Sequence, residues 1–521
     1  MKWDMPLQTS PLAAHPQGEV LDPRADTVRG VLSRPLAVDT HGRRFHVEWD
    51  PHAAVTPLGQ LVFFSQFLAT AGLFRQWVQS CPLSFTSPNA PRLTDLLGTM
   101  TLAILAGQNR YAHVTALRVD AVNPPGLGMS RVCSEDSVRR AFADADPPAC
   151  AAWQTGALQQ TWLPALRVPW VLDLDVTVKP IYGHQEGAEI GYNPHKPGRP
   201  SHAYHTLFVR GLRLVLDVEV RSGKQHSATH SRENLWRMWD ALPKECRPWL
   251  LCGDASYGHE GLLAECETRG QKYLFRLRQS PGVKQLVRLL ESQGGWRRAL
   301  HGYEGAEGTL QLSGWTARRR IIVLRRLRER RAPEPSPSAP PALPWSALAL
   351  CGPAPDYEYQ VLVTNLDEEL LTVADLYRQR ADAENVYDEL KNQWGWGGFT
   401  TQDLLRCQVA ARHVALVYNW WSLFVRCAEP GRAREAVTSR PLLLCAVGRL
   451  VESGRQLTLR LTSTHAEAAR AQTLLTRLSL FLSGLQDTAE QLSPAACWER
   501  IWARILEPWL HPKALLPGPS G

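Results

Sequence analysis

Three acids in this 521-residue chain sit where a carboxylate is either costly or useful: Asp175, Asp254 and Glu384. Asp173 and Asp175 interrupt VPWVLDLDVTV, a run that otherwise reads as a buried strand. A carboxylate in such a run must be paired, hydrogen-bonded or bound to metal, because burial penalises its charge. The two acids alternate with apolar neighbours and therefore share one face. Asp254 closes a second apolar run, PWLLCGD, and precedes the turn-like ASYGHEG. Ligands of open α/β sheets bind beyond strand ends, although turns favour Asp for reasons of their own. Glu384 belongs to a predicted long helix in which Tyr377, Arg380, Glu384 and Lys391 recur at offsets of zero, three, seven and fourteen. On a helix these offsets fall within about a 60° arc. One carboxylate, two cations and a phenol on one stripe suit a metal beside a phosphate backbone; a solvated face with charge pairs has the same pattern. Two strand-borne Asp and one helix-borne Glu could together hold two divalent ions about 4 Å apart, an arrangement that serves phosphoryl transfer. One ion would activate the attacking hydroxyl or water, and the other would stabilise the leaving 3′ oxygen.

The elements that must position these acids follow from periodicity. After VPWVLDLDVTV, the segments HAYHTLFVRG and LRLVLDVEVRSG read as strands, and helical spacing runs from Ser231 to Ala241. PWLLCGD is the next strand, GLLAECETRG a helix and KYLFRLR another strand. This order predicts an α/β fold with helices packed on a mixed sheet. From about Ser280 to Thr364 the pattern is irregular, with strands predicted around RRRIIVLRRL and YEYQVLVTNL and an extended linker at the Pro-rich APEPSPSAPPALP. A long helix then starts near Thr372 and runs past Lys391. Upstream of the sheet, LGQLVFFSQFLATAGLFRQWV and LTDLLGTMTLAILAG have helical spacing, and Ser134 reads as the N-cap of a helix carrying Arg139 and Arg140. That region is either a helical DNA-binding module or an ordinary helical domain with solvated arginines. Residues 1–50 give no clear pattern. The expected division is a mostly helical region over 1–165, a catalytic domain over 166–399 with a β-rich insertion at 280–365, and a helical region over 400–521.

With these motifs in place, the chain resembles the DDE transposases of bacterial insertion sequences, in the group with a Tyr-x2-Arg-x3-Glu-x6-Lys signature. YRQRADAENVYDELK, residues 377–391, carries all four letters at that spacing. Asp175-Val176-Thr177 is similar to the setting of the family's first acid, and Asp173 completes the Asp-x-Asp-x-Thr form of one branch. GHQEG at 183–187 matches a stretch of the same branch, and Cys252-Gly253-Asp254 matches the setting of the second acid. The resemblance spans about 165–400, more loosely 60–160, and is weak elsewhere. It implies a ribonuclease-H-like mixed-sheet core with a β-rich insertion, flanked by helical N-terminal and C-terminal regions. It further implies that Asp175, Asp254 and Glu384 hold Mg²⁺ or Mn²⁺ as two ions. Arg380 and Lys391 would grip phosphates near the cleaved end, and Tyr377 would touch the backbone nearby. The implied activity is DNA transposition: binding of double-stranded inverted repeats, strand cleavage through a hairpin, and joining to target DNA. Cleavage in trans within a homodimer on DNA is also implied. Some relatives stack a flipped base on a Trp of the insertion. Tyr359 and Gln360 stand at the comparable place here, and Tyr359 offers an aromatic face for the purpose. Trp315 and Trp345 are other candidates for that stacking, and each also reads as core.

The remaining features weigh less. An excess of eight positive charges suits a polyanionic partner without requiring one. The eleven Cys include no Cys-x-x-Cys pair, so neither a disulfide framework nor a zinc site is expected, and a reducing cytosol fits; the resemblance implies a bacterial, nucleoid-associated cytoplasmic setting. The N-terminus MKWDMPLQTS lacks a signal-peptide pattern, and the apolar stretch at Leu96–Gly107 is too short for a membrane span and reads as a buried helix. The loop at 183–200 carries His184, His195, Lys196 and Arg199, and either tracks DNA phosphates or is a solvated hairpin. The Arg318–Arg331 run is either a DNA-gripping strand or a solvated face. His226 and His230 have the spacing of a zinc pair, but Ser227 stands where a general-base Glu would be needed. Trp394, Trp396 and Trp421 read as core. Two other functions compete with transposition: a catalytically inactive or repurposed sequence-specific DNA-binding protein, and a nuclease that cuts without joining.

Overall fold

The computed structural model describes residues 35–50, 52–298, 302–328, 356–488 and 491–510. The chain forms two compact units, Met1–Ala54 and Val55–Gly521. In the first, strands β1 (Leu36–Asp39) and β2 (Arg44–Val47) make an antiparallel hairpin. Arg44 pairs with Asp39 at 2.7 Å, and the Thr40 hydroxyl donates to the Arg43 carbonyl across the turn. The hairpin has almost no buried side, which is why alternation gave no signal there.

The second unit opens on β3 (Val55–Thr56) and a helical layer. Helices α1 (Leu61–Thr70), α2 (Leu73–Gln79) and α3 (Leu93–Leu105) match the apolar spacing read from the sequence. Leu96 to Leu105 is buried throughout, as expected for a core helix. Ser134 caps α4 (Glu135–Arg140), its hydroxyl accepting from the Ser137 amide. Helix α5 (Pro147–Trp162) follows.

The strands are β4 (Val171–Pro180), β5 (Glu189–Ile190), β6 (Pro200–Val209), β7 (Leu214–Ser222), β8 (Leu250–Gly253) and β9 (Lys272–Arg276). Helix α6 (Arg232–Ala241) lies between β7 and β8, and α7 (Glu260–Thr268) between β8 and β9. Each of these elements except β5 was predicted. The β4–β8 and β8–β9 pairs are parallel, and β4–β6 and β6–β7 are antiparallel.

The insertion starts with a helix the sequence reading missed, α8 (Pro281–Gln293). It continues through β10 (Arg297–Arg298), β11 (Tyr303–Leu310), β12 (Arg319–Leu327) and β13 (Tyr357–Thr364). Because β13 pairs with β9, the insertion extends the main sheet, giving ten strands in the order β10-β11-β12-β13-β9-β8-β4-β6-β5 with β7 also on β6. The architecture is therefore mixed α/β, with one large mixed sheet and helical flanks. The Pro-rich stretch at 333–344 and Trp345 lie outside the described residues.

The predicted long helix from Thr372 past Lys391 is two helices, α9 (Leu370–Arg378) and α10 (Ala381–Asn392). The chain turns at Gln379–Arg380, where the Arg380 amide donates to the Tyr377 carbonyl. Downstream come α11 (Leu404–Ala428), α12 (Ala436–Leu443), α13 (Ala468–Gln486) and α14 (Pro494–Leu510). The region expected to be helical also contains a hairpin, β14 (Gly448–Ser453) and β15 (Gln456–Leu461), which adds to β3.

Helix α11 is buried on nearly all sides and covers the edge strand β7. An exposed edge would leave backbone groups unpaired. Here Asn419 accepts from the Val215 amide at 2.9 Å and donates to its carbonyl at 2.8 Å. Gln408 does the same for the Val220 amide and the Val218 carbonyl. A buried ion pair, Arg412 to Asp217 at 2.8 Å, joins the same two elements. Trp394, Trp396 and Trp421 are buried, and Trp315 is nearly so, as their core reading required.

Candidate active site

Strand pairing places the two aspartates. Leu174 of β4 lies opposite Gly253 of β8 in parallel register. Asp175 and Asp254, the next residue on each chain segment, therefore emerge side by side. The Asp175 side chain is 17% exposed and accepts from Arg380 at 2.8 Å and from the Val176 amide at 2.8 Å. Burial pushes its carboxyl up to about 6; Arg380 opposes the rise and the charge of Asp254 adds to it. Asp254 accepts from the amide of Ser256 at 2.9 Å and, more weakly, from its hydroxyl, closing the turn after β8.

Asp173 has a different job. It is buried, and its carboxylate accepts from Arg210 through both oxygens, the Nε contact being 2.9 Å. Arg210 also donates to the Leu376 carbonyl, so this pair ties β4 to α9. A buried pair of this kind anchors structure, with both Asp173 oxygens engaged by Arg210.

The turn at Gln379–Arg380 separates the four residues that one helix would have aligned. Tyr377 is buried against Leu250, Cys252 and Leu274, and burial pushes its phenol up to about 12. Arg380 is buried beside Asp175, and its buried Nε has no acceptor among the described residues. Glu384 is exposed on α10, and Lys391 is half-buried. Burial lowers the Lys391 ammonium, while the charges of Asp175 and Asp388 raise it. The structure thus brings Asp175, Asp254, Arg380, Tyr377 and Lys391 into one neighbourhood and leaves Glu384 at its surface.

The other expected DNA contacts lie on the loop before β6 and on α4. Lys196 and Arg199 flank the exposed ring of Tyr182, at 5.0 and 4.8 Å from its centre. Arg139 and Arg140 are surface residues that share Asp136. The described part of the arginine run is largely neutralised by acids: Arg319 pairs with Glu260 and Glu267, Arg320 with Glu307, Arg325 with Glu304, and Arg326 with Glu358. Two of these pairs, Arg325–Glu304 and Arg326–Glu358, face each other directly across the sheet. Tyr359 is half-buried and its hydroxyl donates to Glu291. Sequence reading passed over Lys179, a buried ammonium near the end of β4, and Asn193, a buried amide in the following loop.

The sequence pattern of the family described as transposase DDE domain group 1 matches residues 53–482. The chain belongs to this DDE transposase family. No curated protein matches it. Among solved structures, the chain is similar to that of a piggyBac transposase synaptic complex with hairpin DNA, determined by cryo-EM. That similarity has 10% identity, 89% coverage of this chain, 85% coverage of that one, and a TM-score of 0.37. Among the described residues no helix of this family member is long and apolar enough to cross a membrane.

DDE transposases use divalent metal ions. Adjacent carboxylates, one of them buried, are hard-oxygen donors of the type Mg²⁺ or Mn²⁺ takes. Asp175 and Asp254 fit such an ion. Among the described residues, however, no three His, Cys, Asp or Glu side chains stand close enough to hold one, so Glu384 does not complete the set in this conformation.

Proposed function

We propose that this DDE transposase family member is an active transposase that binds the inverted repeats of its own element, cuts at their boundary and joins the freed 3′ ends to target DNA. The observation that carries the reading is the side-by-side placement of Asp175, within β4, and Asp254, just beyond β8, with Arg380 and Lys391 beside them. Asp175, rather than Asp173, is the first acid of the set, because Arg210 already occupies Asp173. Asp175, Asp254 and Glu384 would hold Mg²⁺ or Mn²⁺, and the turn between α9 and α10 is a joint about which Glu384 can be carried inward. A bound ion supplies activation of the attacking oxygen and stabilisation of the leaving 3′ oxygen.

The chain's own side chains do the rest. Arg380 neutralises Asp175 before DNA arrives, and its Nε, with no acceptor among the described residues, can donate to a phosphate oxygen. Lys391 adds a second cation close to the same carboxylate. The ribonuclease-H-like core that the family implies is supported by the order β4, β6, β7, α6, β8, α7, β9. The domain division follows it: a helical DNA-binding region over 1–165, the catalytic domain over 166–399 and a C-terminal region over 400–521. Double-stranded DNA and a second copy of the chain are its partners.

The test is a joining assay. Purified protein, Mg²⁺, a DNA fragment ending in the flanking repeats and a circular target are incubated together, and the products are sequenced. Fragment joined to target establishes transposition. Cleaved fragment without joining would instead indicate a nuclease, and end-specific binding without cleavage an inactive DNA-binding protein.

A further inference from the structure

Beside the acids, a second site opens between the outer half of β4, the 182–195 loop and the turn after α10. It is a cavity of about 290 Å³ whose lining includes Lys179, Lys391, Asn193, His195, Tyr182 and Trp396. That size is near the lower end of the range for small-molecule sites. No carboxylate lines it. A wider cavity of about 890 Å³ between α5, β7 and α11 carries Glu186, Asp217, Glu219 and Asp403, and so is unsuited to a polyanion.

Two buried groups in the smaller cavity lack the partners that burial requires. Lys179 is only 6% exposed. Its ammonium donates to the Gly398 carbonyl and, at 3.3 Å, to the Tyr204 hydroxyl. Among the described residues no carboxylate pairs with it. Burial pushes it down to about 8, the direction expected of a cation without a counter-charge. Asn193 is 5% exposed. Its Oδ1 accepts from the Lys196 amide at 3.0 Å, which fixes the orientation of the group, and its Nδ2 is left buried with no acceptor among the described residues. Buried donors in folded proteins are almost always paired, so an orphan beside an unpaired cation marks a missing acceptor. An acceptor with negative charge and several oxygens would satisfy both groups, and Lys391, which lines the same cavity, adds a second cation.

We infer that this cavity is a binding site for one phosphodiester of the substrate DNA, held by Lys179, Asn193, His195 and Lys391. The inference rests on the transposase reading and names one contact of that enzyme with its substrate. A phosphate seated there sets the path of the strand past Asp175, and Tyr182 at the rim offers a ring to the neighbouring sugar or base.

The experiment is phosphate neutralisation on the full chain. Element-end duplexes are made with a single methylphosphonate at each position around the cut, and binding is titrated by fluorescence anisotropy. In the wild type, one position should weaken binding about tenfold, the value of a lost charge-assisted contact. In Lys179→Met that position should no longer matter, while the other positions keep their wild-type penalties. An unchanged profile in a folded Lys179→Met would overturn the site. Should that variant fail to fold, His195→Ala on the exposed loop carries the test, and an unchanged profile there overturns the site equally. The unmodified duplex separates the two readings. If the wild type does not bind the element end at all, the transposase reading fails and the site with it. End-specific binding with no coupled phosphate sinks the site alone.

Discussion

Arg380 and Asp175 lie 205 positions apart in sequence and meet across 2.8 Å in a buried ion pair. The contact joins the turn between α9 and α10 to strand β4 of the sheet. Asp175 titrates near 6, well above its ordinary value of 3.8, so the folded state holds its proton more tightly than the unfolded state does. Its contribution to stability is therefore fully present below pH 4 and is lost as pH rises through 6. Replacing Arg380 removes the charge that opposes this rise. In metal-free buffer, Arg380→Gln should cost about 3 kcal/mol at pH 8 and much less at pH 5, where Asp175 is protonated with or without Arg380. Urea unfolding at the two pH values checks this; an equal cost at both would show that the pair does not set the Asp175 charge.

The Arg412–Asp217 pair tests how α11 is held on β7. Both side chains are about 5% exposed or less, and Asp217 also accepts from Asn234. Removing one partner strands the other in the core. Asp217→Ala should destabilise by about 3–5 kcal/mol, whereas the double change Asp217→Leu with Arg412→Met should recover most of the loss. Urea midpoints of the three proteins decide it, and a double variant no more stable than the single would argue against an ion-pair effect.

Beside His205, which burial also lowers, His413 is one source of acid sensitivity. It is buried in α11, within 3.0 Å of the Thr101 hydroxyl and edge-on to Trp77, and burial lowers it to about 3. The unfolded chain takes up a proton near pH 6.5 and the fold does not, so stability is present above 6.5 and falls as pH drops toward 3. The total is roughly 4–5 kcal/mol. His413→Gln should flatten that part of the stability-against-pH curve, and an unchanged slope would assign the acid loss to other groups.

Much of this was legible in the sequence because burial leaves a pattern. The strands bearing Asp175 and Asp254 are apolar runs with acids at fixed places, and both were located before their pairing was known. Other elements were readable but passed over. Val283, Leu286, Val287 and Leu290 repeat at helical spacing after Pro281, and GRLVESGRQLTLRL alternates about a turn at Gly454, whose φ is 62°. What spacing could not reveal was the turn at Gln379–Arg380. Arg380, in that turn, pairs with Asp175 on a strand 205 residues away, a contact no linear spacing shows. Nor could a linear reading show that the arginines of β12 face acids on β11 and β13, because cross-strand register is a tertiary fact.

The central claim is that Asp175, Asp254 and Glu384 form one catalytic set. It is tested most directly by measuring binding and cleavage together on element-end DNA with Mg²⁺, for the wild type, Asp175→Asn, Asp254→Asn and Glu384→Gln. The account predicts cutting at the repeat boundary by the wild type, and a loss on the order of a thousandfold or more in each variant with DNA affinity retained. Cleavage by Glu384→Gln at the wild-type rate would contradict it, because the exposed position of Glu384 would then be its working position and the set would be incomplete.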